Sequence, residues 1–179
     1  MSQLKEDLEA IRDILIHQNQ TLSVAESVTG GNVQALLTSV SMAISFFQGG
    51  ITTYNIGQKV KHLGVEPIHA IKYNSVSEKV ARELSIGAVK LFMSTYAIAV
   101  TGYMGPDDNN ESGKPLAYIS IAAENNGTIS ELLNEKTTCE LDDRGAIQRY
   151  FAEYALRTFR RFLTGKDFHS LPALQDFAE

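Results

Sequence analysis

The chain has 179 residues, 44% hydrophobic and 21% charged, which is globular composition with length for one well-buried core and no need of a second domain. A formal net charge of -5 and a pI of about 5.4 argue against a broad grip on nucleic acid. Cys139 is the only cysteine and the histidines (His17, His62, His69, His169) are scattered, so neither a disulfide, nor a metal, nor another cofactor is expected. The start, Met1-Ser2-Gln3, passes directly into a charged amphipathic pattern, and no apolar run reaches membrane-spanning length. These features predict a soluble cytoplasmic protein without a membrane partner.

Leu4, Leu8, Ile11 and Leu15 recur at helical spacing and predict an opening amphipathic helix. Thr21 to Ala25 reads as a short buried strand running into Glu26-Ser27-Val28-Thr29-Gly30-Gly31, after which Val33, Leu36 and Leu37 predict a second helix. Behind Gly49-Gly50, the β-branched run Ile51-Thr52-Thr53-Tyr54 predicts another strand, followed by a basic helical segment that ends near Gly64. Ser75-Val76-Ser77-Glu78 fits a capping box, in which the first hydroxyl bonds the N3 amide and the carboxylate reaches back. Val80, Leu84, Ala88 and Leu91 then form the apolar stripe of that helix.

Ala97 to Val100 is a short apolar strand that stops at Thr101-Gly102, and residues 107–113 form a polar loop. Leu116 to Ala122 and Thr128 to Cys139 predict two strands joined by the turn signal Asn125-Asn126-Gly127. Asp142-Asp143 open a long last helix carried by Ile147, Phe151, Ala155 and Phe162 and ended by Gly165. Arg157, Arg160, Arg161 and Lys166 cluster near its end, where complementing the helix dipole explains them better than a phosphate patch does. The alternation predicts one layered α/β domain over residues 1–164 with an antiparallel pair late in the chain. A tail over residues 165–179 carries Phe168, Leu171, Leu174 and Phe177.

Three segments have residue types suited to chemistry. At the first strand-to-helix junction, unpaired helix-terminal amides and permissive glycines could surround a nucleophilic Ser27 and stabilise an oxyanion. Taken alone, the same pattern reads more simply as a Ser or Thr helix cap. Tyr54 with Lys59 is the second: a lysine whose pKa burial lowers can act as base to a serine, although a basic run such as Lys59-Val60-Lys61-His62 more often solvates a helix face. The third is Val100-Thr101-Gly102-Tyr103-Met104-Gly105-Pro106, a strand end of the kind at which α/β folds bind ligands, or equally an ordinary tight turn. Neither a dinucleotide glycine motif nor a P-loop is present.

The order and text of these segments resemble the CinA C-terminal-domain family, whose members are associated with deamidation of nicotinamide mononucleotide and carry a competence/damage-inducible label. The family's Ala-Glu-Ser-Cys-Thr-Gly-Gly stands here as Ala25 to Gly31, with Val28 in place of the cysteine. Its Gly-Gly, Tyr, Lys and Leu-Gly-Val stand as Gly49-Gly50, Tyr54, Lys59 and Leu63-Gly64-Val65. Val76-Ser77-Glu78, Thr101-Gly102, Gly105-Pro106 and Lys114-Pro115 match further family positions, so that the resemblance runs from about residue 5 to residue 163.

This resemblance implies a single α/β/α domain with a mixed sheet flanked by helices, and a homo-oligomer, with a dimer favoured. It implies hydrolysis of the carboxamide of a pyridine nucleotide by a serine and a lysine, without metal or cofactor. Ser27 would be the nucleophile, Lys59 its base and Tyr54 an orienting or proton-transferring hydroxyl. Thr29, Gly30 and Gly31 would hold the oxyanion or substrate, Thr101, Gly102 and Gly105 would line the pocket, and Arg144 would contact a phosphate.

Several positions depart from the family pattern. Met42-Ala43-Ile44 replaces Gly-Ser-Ser, Asn55-Ile56 replaces Ser-Asn, Asn109-Asn110 replaces paired glycines, Ala117-Tyr118 replaces Gly-Thr, and Gln148, beside Arg149, replaces an arginine. Lost polar groups at 44 and 56 and lost glycine freedom at 109 and 110 would weaken a preorganised site. They leave a second reading open: a catalytically impaired relative that binds nucleotides or regulates.

Overall fold

A computed structural model describes residues 3–165. Lys166, Phe168, Leu171, Leu174, Phe177 and the rest of the expected tail beyond Gly165 lie outside the described residues. Five strands form one sheet in the order β2-β1-β3-β4-β5. β1 (Leu22–Glu26) lies between β2 (Phe47–Thr52) and β3 (Tyr96–Tyr103) and runs parallel to both. β4 (Leu116–Asn125) and β5 (Thr128–Thr138) continue the sheet antiparallel. Their connection places Asn126 at φ 51° and Gly127 at φ 81°, the pair of positive values that a two-residue hairpin needs and that Asn-Gly tolerates.

Side-chain alternation along β3 assigns the two faces. Ile98 and Val100 face a core with Leu8, Ile11, Leu37, Phe151 and Phe159, contributed by α1 (Gln3–His17), α2 (Asn32–Thr38) and α6 (Arg144–Thr164). Ala97 and Ala99 face the opposite layer, where Val80, Leu84 and Ala88 of α5 (Glu78–Phe92) pack with Leu63 of α3 (Ile56–Leu63) and Ala70 of α4 (Pro67–Lys72). Every residue of β1 is buried because helices cover both its faces. Phe151 and Phe159 are wholly enclosed, and burial of each stabilises the domain by roughly 1.5–3 kcal/mol. The expected α/β/α layering and mixed sheet are present.

Several local expectations need correction. The second strand begins at Phe47, before the paired glycines, and Tyr54 lies beyond its end. α4 and a 3-10 turn at Ala43–Ser45 were not expected. Pro67 sits at the first turn of α4, with the Glu66 carboxylate accepting the Ile68 and His69 amides at 2.8 Å each. The arginines of α6 act mainly across elements. Arg160 and Arg157 approach the buried Asp7 carboxylate at 2.7 and 3.5 Å, and Arg161 approaches Glu135 at 3.4 Å. They tie α6 to α1 and β5 as well as meeting a helix dipole. Gly165, at φ 62°, is the C-cap of α6 and ends that helix as expected.

The capping box also moves. Ser77, not Ser75, caps α5, with its hydroxyl accepting the Val80 amide at 3.2 Å; Glu78 is therefore the first helical residue, and its carboxylate makes no return bond among the described residues. Leu91 is 46% exposed, and the inward stripe passes through Ala81 and Val89 in its place. Ser75 instead lies at φ 61° in the turn before the helix. Ser77→Ala should accordingly lower the unfolding free energy by about 1 kcal/mol. Ser75→Gly should not lower it, because glycine relieves a left-handed backbone. Urea titration of the two variants checks both signs.

A candidate active site at the carboxyl edge of the parallel strands

The parallel strands β1 and β3 end side by side, with Glu26 paired to Val100 and the Ser27 amide donating to the Val100 carbonyl at 3.0 Å. The chain leaving β1 cannot continue the sheet, because it must turn into α2. Glu26 controls that turn. Its carboxylate is completely buried and accepts the amides of Gly31 (2.9 Å), Val33 (3.1 Å) and Gln34 (2.9 Å), which are the unpaired donors at the start of α2. Neither Ser27 nor Thr29 caps the helix. Ser27 is thus free of the simpler role that local pattern offered it.

Opposite Ser27, α3 delivers Lys59. Asn55 caps α3 by accepting the Gln58 amide at 3.0 Å, and Gly64 ends it at φ 69°. On this two-turn helix Lys59 points inward, and 1% of the residue is exposed. Its Nζ lies 2.9 Å from Ser27 Oγ, 2.8 Å from the Thr53 carbonyl and 3.0 Å from the Tyr54 carbonyl. None of these three partners is a carboxylate. Burial lowers the Lys59 pKa from its ordinary value to about 8. Three oxygens match the three N–H bonds of an ammonium. In the neutral amine, two N–H bonds can stay on the carbonyls while the lone pair faces the serine hydroxyl.

A cavity of about 420 Å³ opens over this pair. Ser27, Tyr54, Lys59, Thr101, Gly102, Gly105 and Arg144 all line it, so the structure brings together seven of the ten expected positions. Gly102 is fixed there sterically: a Cβ on it would stand 2.2 Å from the Leu116 carbonyl of β4. Tyr54 lies at the rim, 60% exposed, and what it gives Lys59 is its backbone carbonyl. The Thr101 hydroxyl donates to the Ser75 carbonyl at 2.7 Å and is committed to holding the wall.

Thr29, Gly30 and Gly31 do not line the cavity. Their glycine amides are occupied, Gly30 by the Ser27 carbonyl at 3.1 Å and Gly31 by Glu26. Gly30 has a packing role, since a Cβ on it would meet Gln148 Nε2 at 2.7 Å, which also places Gln148 against the α2 junction. The neighbouring Arg149 turns to Glu153 at 3.0 Å.

The departures expected to impair the site lie elsewhere. Ile44 is 91% exposed on the 3-10 turn, and Ile56 packs against the α5-side core; neither lines the cavity. Asn109 and Asn110 do not have positive φ, so the loss of glycine freedom costs nothing there. The Asn110 side chain instead binds the Gly105 and Lys114 carbonyls at 2.8 Å each and holds the loop closed.

Sequence reading missed the cavity's far wall. Asn74 and Ser75, both at positive φ, line it with Val76 and Asp107, beside Tyr103 of the expected strand end. The Tyr103 hydroxyl donates to the Tyr73 carbonyl at 2.8 Å, and burial with the nearby Asp107 charge pushes its pKa up to about 12. Asparagine tolerating a left-handed turn was the available signal at Asn74; nothing local marks Ser75.

Fold and site together define a class: layered α/β proteins that hold a serine against a buried lysine where parallel strands end. The chain belongs to the CinA C-terminal domain family, whose model matches residues 5–163. It is 31% identical over 166 residues to the nicotinamide-nucleotide amidohydrolase PncC of Escherichia coli K12, covering 90% of this chain and 96% of that one. It is 41% identical over 112 residues to a CinA-like protein of Picosynechococcus, covering 63% of this chain but 26% of that protein. Against that relative and three others, the chain spans 26–36% of their length. The crystal structure of competence damage-inducible protein A from Klebsiella pneumoniae superposes with a TM-score of 0.79 at 26% identity, covering 93% of this chain and all of that one.

Removing the Glu26 charge tests the construction of the junction. Glu26→Gln turns one amide-facing oxygen into a donor, which should cost about 1–3 kcal/mol of stability. Chemical denaturation reads this directly, and unchanged stability would mean that another group satisfies the α2 amides.

Proposed function

We propose that this chain hydrolyses the carboxamide of a nicotinamide nucleotide, converting nicotinamide mononucleotide and water to nicotinate mononucleotide and ammonia. The observation that carries the reading is the 2.9 Å contact between Lys59 Nζ and Ser27 Oγ inside a lined cavity, with the lysine pKa lowered to about 8. The full-length similarity to a nicotinamide-nucleotide amidohydrolase supports the substrate class. No described helix is long and apolar enough to cross a membrane.

Neutral Lys59 takes the proton of the Ser27 hydroxyl as Oγ attacks the carboxamide carbon. The carbonyl oxygen becomes an oxyanion. Among the described residues the Val28 amide has no acceptor, and Val28 lines the cavity at the turn after Ser27, so its N–H is the donor left to meet it. The C–N bond then breaks, the protonated Lys59 gives its proton to the departing nitrogen, and ammonia leaves an acyl-serine. Water, deprotonated by Lys59, attacks the ester; the carboxylate departs and Ser27 regains its proton. Arg144, at the start of α6 and among the residues lining the cavity, would hold the phosphate. The impaired reading has less support, because Ile44 and Ile56 stand clear of the cavity.

Ammonia release from nicotinamide mononucleotide tests the proposal. The unmodified chain should turn over, and Ser27→Ala should fall at least 10³-fold while still binding the nucleotide, since the serine supplies the covalent route. Equal turnover by the two would remove Ser27 from the chemistry.

The pH profile follows from Lys59. Lowering its pKa favours the neutral base, so kcat/KM should rise with pH and level off above an apparent pKa of about 8. At pH 7 about one tenth of the molecules carry the neutral form. A rate independent of pH between 6 and 9 would contradict the assignment of Lys59.

A further inference from the structure

Three charged side chains line the cavity: Lys59 beneath the reacting position, Arg144 at the start of α6, and Asp107 on the loop after β3. The first two have roles in the proposed reaction, whereas Asp107 has none. Its carboxylate is nevertheless carefully held. Oδ2 accepts the Asn74 side-chain amide at 3.0 Å, and Oδ1 accepts the Asn109 backbone amide at 3.1 Å. Both donors are neutral amides, and no ion pair to Asp107 is present among the described residues. Asp107 therefore presents a carboxylate on the wall of a ligand cavity that no cation among the described residues offsets, with lone pairs to spare.

The support beneath it is built at a cost. Asn74 and Ser75 are consecutive residues at φ 46° and 61°, a conformation that asparagine tolerates but serine resists. β3 ties down both sides of this turn, through Thr101 to the Ser75 carbonyl and Tyr103 to the Tyr73 carbonyl. Strain held by surrounding bonds concentrates where a site must be preorganised. Here it delivers the Asn74 amide to Asp107.

The geometry points to Asp107 as a specificity residue for positive charge: together with Arg144 it makes the cavity a receptor for a ligand with a cationic ring and an anionic phosphate. This rests on the nicotinamide-nucleotide reading and narrows it. A nicotinamide nucleotide with an oxidised ring carries a pyridinium charge, while its 1,4-dihydro form has the same carboxamide, ribose and phosphate on a neutral ring. Asp107 attracts the first and is indifferent to the second. Arg144 sees the same phosphate in both.

The experiment is equilibrium titration of oxidised and dihydro nicotinamide mononucleotide into the chain carrying Ser27→Ala, which prevents turnover. That protein should hold the oxidised form about five-fold tighter, the size of a partly exposed charge pair. Adding Asp107→Asn should remove this preference by weakening the oxidised form alone. Adding Arg144→Gln should weaken both forms by the same factor. A merely structural role for Asp107 would move both ligands together, and that result overturns the proposal, as does equal affinity for the two forms before Asp107 is changed. The latter comparison stands even if the Asp107 variant does not fold. Absence of binding to either form, with no ammonia release from the unmodified chain, overturns the nucleotide reading itself. Binding of both without preference overturns only the role of Asp107.

Discussion

Lys59 brings an amine into the interior, where three oxygens and no carboxylate receive it. An ammonium enclosed in this way loses its hydration, and hydrogen bonds to two carbonyls and a hydroxyl replace that only in part. The surroundings therefore have to be rigid. Thr53 and Tyr54, which supply the carbonyls, follow directly from β2, and the Thr53 amide is anchored to the Glu26 carbonyl at 2.9 Å. The residue that caps α2 with its side chain thus also steadies, with its main chain, the segment that receives the lysine.

This coupling explains why the site sits at one place in the sheet. Only where β1 and β3 end together can Ser27 take a backbone bond from its neighbour strand while its side chain faces α3. The α5 layer permits the approach through small residues. Ala97, Ala99 and Ala122 face it from the sheet, and a Cβ on Gly87 would stand 2.2 Å from the Leu63 carbonyl, so the α5 and α3 backbones touch. Larger side chains on that face would lift α3, and the lysine with it, away from the serine.

Much of this was readable from periodicity and punctuation. The amphipathic helices α1 and α6, the buried strands and the Asn-Gly hairpin each depend on local pattern, and each formed near its expected place. Ser27 and Lys59 were legible only through family resemblance, because 32 residues separate them and neither local pattern alone favoured chemistry. What sequence concealed were non-local exchanges. Glu26 reaches five to eight residues ahead to cap α2, displacing the expected Ser or Thr cap and occupying an amide that had been assigned to the oxyanion. Ser77 displaced Ser75 because β3 pins the preceding turn in a left-handed conformation that a capping residue does not adopt. Ile44 and Ile56 were misjudged for a related reason: a departure from a family's text does not reveal which way the side chain faces.

The buried lysine carries a thermodynamic consequence of its own. Its folded pKa, about 8, lies below the ordinary lysine value of 10.5, so between those values the unfolded chain binds more protons than the native one. The sign is fixed by that difference: stability should rise with pH across the window, by roughly 3 kcal/mol if the whole shift is expressed. Below pH 8 the folded protein bears the full cost of a charged, enclosed ammonium. A methionine at position 59 would fill similar volume without needing hydration and would relieve that cost, at the expense of any base for Ser27. The domain is thus less stable than its own core would allow, and the lost stability is concentrated at the one contact that brings an amine to a serine hydroxyl.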